Sequence, residues 1–522
     1  MNRWIALALV LAGAAGLCLR APQLAVRPLH NDEGVNAYKF AGLWQTGSYR
    51  YDPNEHHGPS LYYASWLWGK LTLAPRDIAG FSEARLRLMI VAFGLGLVAL
   101  LPLVADGLGR MGSAWAAVFT ALSPAMVYYS RYYIHEVMLV FFTFLALAAG
   151  WRYWRTRKIA WALLAGAGLG LMTATKETFV INLIAAAIAL GVNHAWNRWL
   201  DDSGSPVKTR PMSWWHLAAG LGVWLAVAVM LLSSFFQNPA GPLDAIRTYI
   251  PWLNRAAGDS PHIHPWYFYL QRVLFFQEGR GPLWTEALIL LLACLGAAAG
   301  FIRKQLGGAS ASFIRFVALY TFALTAGYTL ISYKTPWCLL GFWHGAILLA
   351  GTGVAVLCRL AGHGMLKLTT AAALAAGVAH LGWQAWAASF KYPADPVNPH
   401  VYAHTSADLL NLVRKVQAIA DSSAEKRRLL VKVMAQDNDF WPLPWYFRDF
   451  PNIGWWSAVQ PDPYAPMMIV SARFAAALDD KKTHLMVGYF QLRPQVFFEL
   501  YVELELWKRY LAANPPPPEP ED

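Results

Sequence analysis

Between His30 and Tyr63 the chain gathers four acids, three histidines and five tyrosines into 34 residues. Asp32-Glu33 lies in the stretch His30-Asn-Asp-Glu-Gly-Val-Asn-Ala-Tyr38, and Tyr51-Asp-Pro-Asn-Glu-His-His-Gly-Pro-Ser-Leu-Tyr-Tyr63 follows soon after. Carboxylates and imidazoles grouped at a membrane surface are costly, so they point to function. A carboxylate beside a second one feels a like charge that favours the proton, which makes Asp32 the candidate general base. A competing reading has Asn31 or Asp32 capping a surface helix that begins near Gly34.

Further polar groups recur at the same side of later apolar segments. Ser130-Arg-Tyr-Tyr-Ile-His-Glu136 ends on Glu136, an acid at the start of a membrane helix, where the helix N-terminus offsets part of its cost. Arg131 supplies a cation five residues earlier, and Lys176-Glu177 reads as a local ion pair. Lys334, in Ser332-Tyr-Lys-Thr-Pro-Trp337, suits a lipid phosphate as a point charge or snorkels to the interface. Glu55, His56, His262 and His264 offer carboxylate and imidazole donors to a divalent metal. Their spacing matches no strong metal signature such as HExxH, and interfacial histidines bonded to loop carbonyls fit it as well.

The elements that position these groups are mostly apolar. Of 522 residues, 57% are hydrophobic and 14% charged; a soluble domain averages about 25% charged, so the chain reads as a polytopic membrane protein. The 25 tryptophans and 23 tyrosines suit membrane interfaces. A net charge of +12 does not signal nucleic-acid binding, because the cations lie between apolar segments. Cys18, Cys294, Cys338 and Cys358 form no CxxC pair.

About eleven transmembrane helices are expected, near 4–21, 84–106, 112–129, 136–151, 159–175, 177–195, 214–236, 283–302, 313–332, 336–358 and 366–389. The first follows an Arg3 n-region but lacks a clear cleavage site, so it is expected to remain as an uncleaved helix. One set of loops carries Arg110; Arg152, Arg155, Arg157 and Lys158; Arg198, Lys208 and Arg210; Arg303, Lys304 and Arg315; and Arg359 and Lys367. The opposite short turns hold Arg131, Lys176 or Lys334 alone, so the positive-inside rule turns the acidic pair away from the cytoplasm. Residues 1–390 form the membrane domain, with long outer loops at 22–83 and 237–282 whose apolar stretches Leu61–Leu73 and Trp266–Phe276 suit surface helices. Residues 391–513 read as a small extracytoplasmic α/β domain, with a helix at Ser406–Ile419, strands at Leu429–Met434 and Met467–Ser471, and an aromatic helix around Val496–Tyr510. A disordered Pro-rich tail, 514–522, is expected to end it.

These residues resemble the GT-C superfamily of membrane glycosyltransferases, which includes protein O-mannosyltransferases and lipid A aminoarabinose transferases. Asp32-Glu33 resembles the family's acidic pair in the first outer loop. His57-Gly-Pro-Ser-Leu-Tyr-Tyr63 looks like the stretch that starts its second surface helix, and Phe81-Ser-Glu-Ala-Arg-Leu-Arg87 like the entry to its second membrane helix. Ser130–Glu136 sits where the family keeps a second acidic motif. Asn31-Asp-Glu-Gly-Val, Glu55-His-His-Gly-Pro-Ser, Tyr333-Lys-Thr-Pro-Trp and Asp439-Phe-Trp-Pro-Leu-Pro-Trp-Tyr-Phe-Arg-Asp449 resemble the flippase-activity-associated branch.

The resemblance implies a membrane helix bundle of the GT-C fold that moves a sugar from a polyprenyl-phosphate donor to a glycan, lipid or protein acceptor on the extracytoplasmic face, with or without a divalent metal. It makes Asp32, Glu33 and Glu136 the catalytic acids: Asp32 deprotonates the acceptor, while Glu33 and Glu136 shape the site or hold a metal. Lys334 or Arg85 then attends the departing lipid phosphate, with Arg131, His57 and Tyr62 as further substrate contacts. The alternative is a non-catalytic partner of a lipid-linked oligosaccharide flippase. A secondary transporter ranks last, because the chain shows almost no mid-membrane acids or broken inverted-repeat helices.

Overall fold

The structure is a computed structural model that describes residues 3–52, 57–199, 211–257 and 262–515. It is mostly helical, with one small C-terminal sheet. In lipid every backbone N–H and C=O must be satisfied internally, so the apolar runs fold as helices. Among the described residues, seven are long and apolar enough to cross a membrane: Glu83–Leu108, Glu136–Thr156, Phe179–Trp199, Trp214–Leu232, Ala311–Leu330, Pro336–Leu360 and Met365–Lys391. Ile5–Arg20, Ile159–Thr173 and Ala287–Ile302 are shorter apolar helices. Pro336–Leu360 is the central helix, 94% buried across its most apolar window, whereas Met365–Lys391 is 11% buried and peripheral.

The span expected at 112–129 is instead two helices, Arg110–Leu122 and Pro124–Tyr129. Proline lacks the N–H that would continue the first helix and is suited to open the second. The Ser123 hydroxyl caps that second start by accepting the Met126 N–H at 3.4 Å. The surface helices form at Ser60–Leu71 and, shorter than expected, at Phe268–Leu274.

The chain divides into two compact units. The first comprises residues 1–24, 48–72 and 84–402 and holds the apolar helices. The second comprises residues 25–47, 73–83 and 403–522, so the helix bearing Asp32 and Glu33 groups with the C-terminal sheet. That sheet has strands β1 (Val431–Met434), β2 (Ile453–Trp456), β3 (Met467–Ser471), β4 (His484–Arg493) and β5 (Val496–Glu503), in the order β2-β1-β3-β5-β4. β1 runs parallel to β2 and β3, while β5 is antiparallel to β3 and β4. Val431, Val433, Met467, Ile469, Phe498 and Leu500 face the amphipathic helix Leu409–Asp421, which buries Leu409, Leu412, Val416 and Ile419 against them.

The aromatic helix expected over 496–510 is corrected. Val496–Glu503 is a strand, and only Leu504–Ala513 is helical. Val496, Phe498, Leu500 and Val502 alternate, bury one face, and pair with β3 and β4, so the period of two wins over helical spacing. The Pro-rich tail lies almost wholly outside the described residues.

Within the second unit Gly34 permits a close approach. A Cβ there would fall 2.4 Å from the Pro442 Cβ, so the Trp441-Pro442 segment seats directly on the acid-bearing helix. Tyr38 meets Trp441 edge-to-face at 5.7 Å, and the Tyr446 hydroxyl accepts the Leu29 N–H at 2.8 Å.

Candidate active site

The helix Asn31–Thr46 starts three residues before Gly34, and its N-cap is His30, not Asn31 or Asp32. The His30 Nδ1 accepts the Asp32 N–H at 3.1 Å, and the Glu33 carboxylate accepts the His30 backbone N–H at 3.0 Å. Together they form a capping box with histidine in the usual Ser or Thr position. Glu33 is fully buried and also accepts the Arg27 guanidinium at 3.2 Å. Its charge is therefore met by Arg27 and by the helix start. Asp32 differs from its neighbour, since its side chain is 45% exposed and touched by the Asn31 amide at 3.3 Å.

In the membrane unit the sequence-adjacent Lys176 and Glu177 do not pair with each other. Lys176 forms a buried ion pair with Glu136, and Glu177 accepts the His57 Nδ1–H at 2.8 Å. Burial pulls the Lys176 ammonium down, but the Glu136 carboxylate, helped by Cys338 and Glu177, holds it well above its ordinary value. Burial likewise pushes Glu177 up, but His57 and Lys176 outweigh it and hold the carboxyl at about 2. The backbone closes this site, because the Gly58 and Ser60 N–H groups donate to the Thr175 and Ala174 carbonyls, each at 3.0 Å. The His135 Nε2–H donates to the Gly58 carbonyl at 3.0 Å, and its ring lies 5.1 Å from His57 and 5.9 Å from Tyr62. Glu136 and Lys176 also line a small cavity with Trp337, Cys338 and Tyr328.

The depressed Glu177 fixes a pH dependence. Its ionised form stabilises the fold fully above its ordinary 4.5, and that contribution is lost as pH falls toward about 2. Thermal unfolding of the detergent-solubilised protein should therefore drop across that window, and Glu177→Gln should flatten that part of the drop. An unchanged acid limb in the variant would contradict the assignment.

The other substrate candidates fall into different settings. The Arg131 guanidinium donates to the Arg20 and Pro22 carbonyls, each at 2.8 Å, and lies over the Phe390 ring, so it fastens the end of the first helix. Arg85 is half-buried, and its carbonyl accepts the Trp68 indole at 3.1 Å. Lys334 is buried and donates to the His264 carbonyl at 3.0 Å and to the Ile331 carbonyl; burial lowers its ammonium below the usual value. Ile263 bridges Tyr333 in an antiparallel pair, which brings His262 and His264 beside Lys334. Both imidazoles engage the Tyr402 hydroxyl, His262 at 2.7 Å and His264 at 2.9 Å.

Glu55 and His56 lie outside the described residues. Among the described residues no three His, Cys, Asp or Glu side chains are grouped as metal ligands. Of the four metal candidates only His262 and His264 are described, both bonded to the Tyr402 hydroxyl, and no step below is routed through a metal.

Residues 10–238 match the family model of dolichyl-phosphate-mannose-protein mannosyltransferase. The chain also superposes on ArnT from Cupriavidus metallidurans bound to undecaprenyl phosphate, with a TM-score of 0.60 at 14% identity, over 95% of this chain and 98% of that one. The oligosaccharyltransferase of Archaeoglobus fulgidus, tethered with an acceptor peptide, gives 0.55 at 12% identity over 89% of this chain and 65% of that one. The chain carries the GT-C fold. At these identities the superpositions show a shared fold, and the family match covers residues 10–238. Among curated proteins none matches it significantly.

Several groups that complete these sites carry little sequence signal. Arg27 sits six residues before its partner Glu33, and Tyr402 lies far along the chain from the two histidines it joins. Glu286, fully inside the bundle, accepts the Ser123 hydroxyl at 2.5 Å, the Ala125 N–H at 3.0 Å and the Trp343 indole at 3.0 Å. It ties the start of the Pro124–Tyr129 helix to the central helix. An acid beside an apolar run was its one visible sign.

Proposed function

We propose that the protein transfers a sugar from a polyprenyl-phosphate donor to a glycan, lipid or protein acceptor on the extracytoplasmic face of the cytoplasmic membrane, with Asp32 as general base. The observation that carries the reading is the division of labour within the acidic pair. Glu33 is buried and satisfied by Arg27 and the capping box, whereas Asp32, held by the same box, keeps a half-exposed carboxylate. A base must reach the proton it removes, so exposure with fixed backbone geometry suits that duty. The family match over residues 10–238 supports the reaction class, and the bound undecaprenyl phosphate in the ArnT structure supports a lipid-phosphate carrier.

In this reading Asp32 takes the proton from the acceptor hydroxyl as its oxygen attacks the sugar's anomeric carbon. The bond from that carbon to the lipid phosphate breaks, and the phosphate leaves with the bonding pair. Glu33 is a positioning residue, since it fixes the helix turn that presents Asp32. Glu136 and Lys176 shape the membrane unit's own polar site, and Lys334 is the candidate cation for the departing phosphate. Mass spectrometry of surface glycans and lipids from a deletion strain is the test. Loss of one sugar, restored by the wild-type gene, is expected; an unaltered glycan and lipid profile would contradict the reading.

A further inference from the structure

We infer that the outward stripe formed by Leu243, Ile246, Ile250 and Leu253 lies in the headgroup–acyl boundary of the bilayer. It would hold the long loop after the Trp214–Leu232 span on the membrane surface. The two short helices Gly241–Arg247 and Tyr249–Ala257 run nearly end to end. Spacings of three, four and three residues place the four side chains on one face of that run. All four are exposed, from 51% at Leu243 to 67% at Ile246. A surface helix in water turns its apolar stripe inward; this run turns it outward, and so requires an apolar medium.

The neighbouring chain identifies that medium. A Cβ at Gly241 would fall 1.9 Å from the Leu232 carbonyl oxygen, so the run begins in contact with the last turn of a membrane-length helix. Phe235 and Phe236, both exposed, occupy the connection. Arg247 flanks the stripe, exposed and paired with Asp244 at 3.1 Å, a place from which a guanidinium reaches lipid phosphates. Apolar side chains bordered by a cation are the pattern of an interfacial helix. On the inward side Thr248 is buried, and the Tyr249 hydroxyl donates to the Glu177 carbonyl at 2.8 Å. The loop thereby fastens the Glu177–His57 pair at the depth of the bilayer boundary.

The test is independent of sugar transfer. Cys18, Cys294, Cys338 and Cys358 are each replaced by alanine, and Ile246→Cys, Ile250→Cys and Leu253→Cys are made singly. A nitroxide is attached to each, and the full chain is reconstituted in phosphatidylcholine–phosphatidylglycerol vesicles. Val229→Cys on the membrane span and Asp480→Cys on the exposed C-terminal unit serve as lipid and water references. The expected result is collision with oxygen in excess of a water-soluble nickel chelate at all three positions, as at 229. A nickel excess like that at 480 would overturn the inference. So would protection from both reagents, which would mean that protein, including a second copy of the chain, covers the stripe.

Discussion

Asp32→Asn is expected to lower sugar transfer by about 10²–10⁴-fold, the usual contribution of a general base, while leaving the protein folded. The substitution keeps shape and hydrogen-bonding reach but removes the basic oxygen. Asp32 contributes its backbone N–H to the His30 cap, and asparagine supplies the same group. The measurement is turnover in membranes supplied with polyprenyl-phosphate sugar, at matched protein level and with an unshifted unfolding midpoint. Full activity at normal protein level would remove Asp32 from the mechanism. Glu33→Gln should behave differently, because it leaves the buried Arg27 facing a neutral partner and weakens the capping box, so its primary effect is on stability.

The second large effect belongs to the buried Glu136–Lys176 pair, whose side chains are 6% and 5% exposed. Taking two charges out of water is costly, and removing one partner strands the other, at a cost of about 3–5 kcal/mol. Lys176→Met and Glu136→Gln should each lower the unfolding midpoint strongly in detergent. Glu136→Gln/Lys176→Met should recover much of the loss, because no isolated charge remains. Single variants that unfold like wild type would show that the two charges are not coupled in the folded protein.

The two acids illustrate how far the sequence could be read. Their chemistry and cost were visible in Asp32-Glu33, and hydropathy alone located the membrane helices to within a few residues at most ends. The break at Ser123-Pro124 was hidden because apolar composition continues across it; only the proline marked it. Val496–Glu503 misled because an aromatic run satisfies both periods, and pairing with two neighbouring strands decides between them. Partner choice was the least legible. Lys176 and Glu177 are neighbours in the chain, yet the turn that holds both sends one side chain to Glu136 and the other to His57. Likewise the partner of Glu33 is Arg27, six residues earlier, which the acidic pair itself does not announce. Such pairings are set by how distant segments meet, which local spacing does not encode.

The most direct measurement follows the fate of the lipid donor. Purified protein is reconstituted in vesicles containing a polyprenyl-phosphate-linked sugar and a cell-envelope extract as acceptor source, and the lipids are analysed by mass spectrometry over time. The account predicts that the sugar leaves the lipid and polyprenyl phosphate accumulates, with Asp32→Asn nearly inert. A donor that crosses the bilayer chemically unchanged, with no sugar released and no difference between wild type and Asp32→Asn, would contradict transfer and favour a role in lipid flipping.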